Sequence, residues 1–377
     1  MSKIIFKTYK AIDFCDDVRD GTHDSPKHLD FGKILITSKN IKDNYIDFTN
    51  VSYISEEDYN KINERSLVEK NDILYSMIGT VGLIYRVEEH PNYAIKNMGL
   101  FKISDELKSK WLYYYLSSPK SKKDVVSKLN GSTQKFISLN NLRGLEIRFP
   151  EDVNNAKRII KVLEIINKKI KLNNEINNNL YEISKQLLLK YLEDNSDSEE
   201  INISELLNVF TGKKNANETS PNGKYKFFSC APESLLSDTF LYDGAAIIVA
   251  GNGAYTGRTR FYDGKFELYQ RTYGLTLKDD VNKNNIYGLY VFMKTIFEPD
   301  KMGGTHGSAI PYIVLSDLTD YKLKYNKIEF EKFSDLVSNN IKMIQENEKN
   351  NEELSQLRDT LLPKLMNGEI DLDNIEI

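Results

Sequence analysis

The feature that most constrains this chain is a long amphipathic stretch running from Asp152 to about Leu192. Ile159, Leu163, Ile166, Ile170, Ile176, Leu180, Ile183 and Leu187 recur mostly at steps of three and four, which places them on one narrow stripe of a helix. About 40 helical residues at ~1.5 Å each make a rod roughly 60 Å long, well beyond the usual three turns. A seam so long and narrow requires a partner helix. A second stretch, roughly Glu329 to Met366, offers one, with Phe333, Val337, Ile341, Ile344, Leu354, Leu357 and Leu361 as its stripe.

A mixed segment precedes each rod. Short β-like runs such as Lys33 to Ile36, Asp72 to Tyr75 and Ala245 to Ala250 alternate with Gly, Asn, Asp and Pro turns, and a short helix is expected near Lys110 to Leu116. The order globule, rod, globule, rod suggests a repeat, and the two halves align. Gly131 to Leu142 matches Gly307 to Leu318 without gaps, Gly79 to Gly82 falls near Gly253 to Gly257 with one inserted residue, and Asn97 to Leu100 falls on Thr272 to Leu275. Gln186 to Lys190 matches Thr360 to Lys364. The expected boundaries are a first domain at 1–150, a long helix at 151–193, an acidic linker at 194–202, a second domain at 203–327, and a long helix with its tail at 328–377. Duplicated rods pair most economically as an antiparallel coiled coil with an approximate twofold axis. Asn173, Asn177, Asn347 and Asn351 interrupt the seam, which leaves either a fixed register or a locally loose middle.

Several chemistries find no support in the residues. Two cysteines, Cys15 and Cys230, and four scattered histidines offer no zinc spacing. No apolar run of ~18 residues and no charged-then-apolar leader is present, so neither membrane insertion nor secretion is expected, and cytoplasm is the default. Gly251 to Gly257 has its third glycine one place late for a dinucleotide loop and leads into a strand, which reads as a hairpin turn. Pro299-Asp300 followed by Asp320-Tyr321-Lys322 matches the loose pattern of a Mg²⁺-dependent nuclease, but Asp320 falls where the first half has Gly144. No two prolines are adjacent, so the Asn-Pro-Pro-Tyr loop of an amino-methyltransferase is missing.

Binding signals are stronger. The net charge of −4 decides nothing, because nucleic-acid binding depends on where the cations sit. Lys120 to Lys135 carries five Lys against one Asp and includes the small polar residues of Gly131 to Gln134. In the second half, Lys213 and Lys214 stand near the start, and Arg258, Arg260 and Arg271 stand among Tyr255, Tyr262, Tyr269 and Gln270. Lys and Arg neutralise phosphates, and Arg and Gln can also pair with base edges.

Together these features resemble the specificity subunit of type I DNA restriction and modification systems. The resemblance rests on Asp17 to His23 ahead of Lys33 to Ile41, on Asp72 to Gly82, on Gly131 to Gln134 and Gly307 to Ile310, and on Leu357 to Ile370. It implies two α/β (α+β) target-recognition domains, each followed by a long helix and each reading one half of a split, asymmetric target in double-stranded DNA. The helices would set the spacer and dock two modification (methyltransferase) subunits, and the resemblance leaves open whether ATP-dependent restriction subunits join. Such a chain is not an enzyme and binds no cofactor, with S-adenosylmethionine, ATP and Mg²⁺ on the partners. The DNA-contacting residues expected are Thr80, Gln134 and Lys135 in the first domain and Lys213, Lys214, Tyr255, Arg258, Arg260 and Arg271 in the second. The rival readings are an autonomous nuclease using Asp300, Asp320 and Lys322, and a coiled-coil scaffold that binds only protein.

Overall fold

The computed structural model describes residues 4–42, 45–131, 135–297 and 311–370. The chain forms two compact units, one of Met1–Lys169 with Glu353–Ile377 and one of Ile170–Glu352, so each long helix contributes to both. The helices span Val153–Asp194 and Lys327–Asn367.

In the first unit a four-stranded sheet has the order Asp17–Asp20, Met98–Lys102, Ile73–Ser76, Ile84–Arg86, all antiparallel. A smaller sheet sets Lys33–Ile36 between Ser52–Ile54 and Tyr93–Ile95. Glu106–Ser117 forms the expected helix, begun by Asp105, whose carboxylate accepts from the Lys108 N–H. Its Trp111 is fully buried and donates Nε1–H to the Arg148 carbonyl at 2.7 Å. Part of the basic stretch lies on a further helix, Pro119–Ser127, which starts with Pro and is capped by Ser118.

The second unit repeats this plan. Its six-stranded sheet begins Leu207–Thr211, Thr272–Leu277, Tyr242–Ala250, Thr259–Leu268, the counterparts of the four strands above, and adds Tyr225–Phe228 and Leu235–Ser237. Asn285–Ile296 takes the place of Glu106–Ser117, and Leu315–Thr319 that of Leu139–Arg143. The strand pair Phe6–Lys10 with Glu146–Pro150 recurs as Glu200–Asn202 with Lys322–Lys324, so the acidic linker ends in an ordered strand.

The ladders correct one part of the internal alignment. Ser76 pairs with Met98, and Ala250 with Thr272. Gly99 therefore corresponds to Tyr273, and Phe101 to Leu275. Matching Gly99 to Gly274 by identity is one residue out, and such a slip exchanges the faces of a strand. It would equate Leu275, packed beneath the long helices, with Leu100 on the other side of its sheet.

Within each unit the long helices run antiparallel. Ala156, Ile159, Ile160 and Leu163 pack with Leu362, Leu365 and Met366 in the first unit, and Tyr181, Leu188 and Tyr191 with Phe330, Phe333, Val337 and Ile341 in the second. Two stripe residues are misread from sequence, since Ile183 is 53% and Leu357 48% exposed. The buried neighbour of Ile183 is Ser184, which donates to the Leu180 carbonyl at 2.8 Å and accepts from Asn340 at 3.2 Å. The Asn interruptions are bonded across the seam. Asn173 donates to Asn351, and Asn347 to Asn177, both at 2.8 Å. These two bonds interchange when the helices are exchanged, and they favour a fixed register over a loose middle.

Candidate nucleic-acid interface

In both units the loops of interest leave the same edge of the sheet. In the first, Asp20 ends its strand, Ser76 ends its own, and Met98 and Ile84 begin theirs at that edge, as the pairings Gly99–Asp20, Met98–Ser76 and Tyr75–Ile84 require. The loop 77–83, the turn 96–97 and the segment after Gly21 therefore emerge together. In the second unit, Thr211–Tyr273, Ala250–Thr272 and Val249–Thr259 bring together the loop 251–258, the turn 269–271 and the segment after Gly212.

The loops are built alike from different residues. Ile78 bridges Phe136 and the Ile137 N–H donates to the Met77 carbonyl at 3.0 Å. Asn252 bridges Tyr312 and the Ile313 N–H donates to the Gly251 carbonyl at 2.8 Å. Gly79 and Gly253 both have positive φ, 78° and 86°, with open space around the missing side chain. Gly82 and Gly257 close the turns by donating to Ser76 and Ala250 carbonyls at 3.1 and 2.8 Å. The buried Ser76 hydroxyl fixes the first turn by donating to the Thr80 carbonyl at 2.6 Å and accepting from the Leu83 N–H at 2.7 Å. In the second, the Thr256 hydroxyl is directed at the carbonyls of Gly253, 2.7 Å, and Pro311, 2.8 Å.

The expected contact residues fare unequally. Thr80 and Lys135 are exposed on the first unit's loops, and Gln134 lies outside the described residues. Lys213, Tyr255 and Arg271 are exposed in the second. The Arg258 guanidinium sits 4.3 Å from the centre of the Tyr255 ring, which presents cation and aromatic as one surface. Two residues are engaged internally instead. Lys214 donates to Thr239 and Ser237 at 2.6 and 2.9 Å and lies 3.5 Å from the buried Glu267 carboxylate. Arg260 donates to the Ala231 and Pro232 carbonyls, and burial together with the Arg258 charge pushes its pKa down. The buried Glu267 carboxylate compensates the Lys214 charge, and the Ala231 and Pro232 carbonyls take up the Arg260 guanidinium donors, so neither cation is presented freely to solvent.

Sequence reading passed over residues at the same edge. His23 has its Nδ1 2.9 Å from Asn97 Oδ1 and its Nε2 2.9 Å from the buried Asp20 carboxylate, which also pairs with Arg65. The bond to Asn97, then that to Asp20, raises the His23 pKa. Lys96 reaches Ser25 at 2.6 Å. The parallel bridge Thr22–Lys96 stands one residue nearer the strand ends than the similar bridge Lys214–Tyr269 of the second unit, a relation that only the ladders reveal. A cleft of about 370 Å³ beside this cluster is lined by residues of both signs, including Asp24, Asp58, Lys61 and Arg65.

For the nuclease reading, Asp300 lies outside the described residues. Asp320 follows the short helix as Gly144 does in the first unit, and accepts from the Thr319 hydroxyl at 2.7 Å. Lys322 lies 3.7 Å from Glu200. Among the described residues no cluster of His, Cys, Asp and Glu could hold a metal ion, and no helix is long and apolar enough to cross a membrane.

A duplicated mixed α/β unit joined to paired long helices, with unlike polar loops on one sheet edge, defines a two-domain recognition chain. The Type I restriction modification DNA specificity domain matches residues 27–182 and again 195–356, and the chain belongs to that family. The family is one of specificity chains and not of catalysts. The chain is 34% identical over 124 residues to the Type I restriction enzyme EcoDI specificity subunit of Escherichia coli, an alignment covering 33% of this chain and 26% of that one. It is 26% identical over 179 residues to the EcoBI specificity subunit of the same organism, covering 47% and 35%. The chain thus spans about a quarter to a third of the curated relatives it matches. The S subunit of a type I restriction-modification system from M. genitalium has the same fold, with a TM-score of 0.58, 18% identity and 97% of each chain covered.

Proposed function

We propose that this chain is the non-catalytic DNA-specificity subunit of a type I restriction-modification complex and reads an asymmetric bipartite target. Residues 1–150 and 203–327 act as the two target-recognition domains. The observation that carries this reading is the recurrence, on the same sheet edge of both units, of loops with equivalent backbone scaffolds and different side chains. Equivalent scaffolds suit two readers of one kind, and Thr80 with Lys135 against Tyr255, Arg258 and Arg271 suits two different half-sites.

Phosphate contacts fall to Lys135 and Lys213, and base-edge contacts to Arg258 and Arg271. The paired helices set the spacer and dock two modification subunits, which bring S-adenosylmethionine. ATP and Mg²⁺ belong to restriction subunits where these join. The complex works in the cytoplasm.

Co-expression with a modification subunit tests the reading by sequencing methylated bases. One split motif is expected, and none when the chain is expressed alone. DNA cleavage by the purified chain, lost on Asp320→Ala, would reverse the assignment in favour of a nuclease. No salt-sensitive DNA binding by the full complex would favour a protein-only scaffold.

A further inference from the structure

Asn252 sits in the second unit's loop at the position that Ile78 occupies in the first, since each forms the bridge that closes its loop, to Tyr312 and Phe136. An amide can present either a donor or an acceptor to a base edge, so its orientation decides what it reads. Here the orientation is fixed from below. The Cys230 thiol lies 3.0 Å from Asn252 Oδ1, closer than its other partners, the Arg271 carbonyl at 3.3 Å and the Thr272 hydroxyl at 3.7 Å. With its single proton donated to Asn252 Oδ1 and its sulfur able to accept from the Thr272 hydroxyl, the thiol links the loop to the strand start next to Arg271 and engages the amide oxygen. The amide nitrogen makes no hydrogen bond to the described residues, and Asn252 is half-buried in the same loop, 251–258, that carries Tyr255 and Arg258.

We propose that Asn252 is a specificity-determining residue of the second recognition domain, donating from its amide nitrogen to an acceptor on a base edge, and that Cys230 is the positioning residue that holds it in that sense. The inference rests on the DNA-specificity reading above. The acceptors it fits are purine N7, guanine O6 or thymine O4. Its counterpart Ile78 can make only apolar contacts, which makes this position one source of the difference between the half-sites.

The test uses the complete chain with its modification subunit and reads the methylated motif position by position. Asn252→Asp replaces the donor by a second acceptor. It should lower discrimination at one position of the second half-site by about tenfold to a hundredfold, with the first half-site unchanged as an internal control of folding. Cys230→Ser keeps a donor and should keep the motif, whereas Cys230→Ala frees the amide and should broaden the same position without a matching fall in total methylation. If Asn252→Asp abolishes methylation, Asn252→Ser decides by the same criterion. A wild-type split motif that no Asn252 variant alters would overturn the inference and leave the specificity reading standing. Absence of any split motif with the wild-type chain would overturn both.

Discussion

Arg271 and Arg260 are equally cationic in sequence, yet they meet different surroundings. Arg271 is exposed and its guanidinium makes no hydrogen bond or ion pair to the described residues, whereas Arg260 lies against the Ala231 and Pro232 carbonyls. Arg271→Ala should therefore cost about 1–3 kcal/mol of discrimination at one position of the second half-site, measured by competition binding of the complex to duplexes varied there. Uniform loss across all sequences would reassign Arg271 to phosphate. His23 gives a second prediction. Its raised pKa means that protonation favours the folded arrangement, so this contribution is complete below 6.5 and disappears as pH rises through the folded value. An NMR titration should place His23 above 6.5, with Asn97→Ala and Asp20→Asn each lowering it, and a midpoint at or below 6.5 would contradict the bonding described. The residue scale was the least legible in the sequence. Composition and spacing located the cations, but whether Lys214 faces solvent or Glu267 depends on a contact between positions 53 apart in the chain.

The long helices were legible as elements because their apolar spacing persists over tens of residues. Individual faces were less so. Ile183 precedes Ser184, and residue type alone prefers the Ile for the seam, whereas the structure buries the Ser. A helix tracks a seam by angle, and a hydrogen-bonded Ser fits where a branched side chain would crowd the partner. The same logic governs the Asn pairs. Asn173→Ala leaves Asn351 without its donor and should destabilise the chain by about 1–3 kcal/mol. Replacing both Asn173 and Asn351 by Leu should raise the melting temperature while weakening the preference for this register. Calorimetry together with a disulfide-trapping assay of helix register checks both halves, and a double variant that melts lower would contradict the polar-register account. Strand faces were legible only where the ladder was certain, and the one-residue slip at Gly99 shows how matching glycine to glycine misleads when Tyr273 is the true counterpart.

At the scale of the molecule, duplication was the most legible property. The repeat survives in the ladders, in the loop-closing bridges, and in helix ends where Leu188 and Leu362 are both buried. What sequence could not supply was the gathering of separate loops on one edge, since that depends on strand order. The central claim is that the two units read two independent half-sites. Its most direct measurement is the methylated motif produced when residues 1–150 are exchanged for the corresponding domain of a relative with a different target. The account predicts that one half-site changes while the other half-site is retained, and a motif altered in both halves, or in neither, would contradict it.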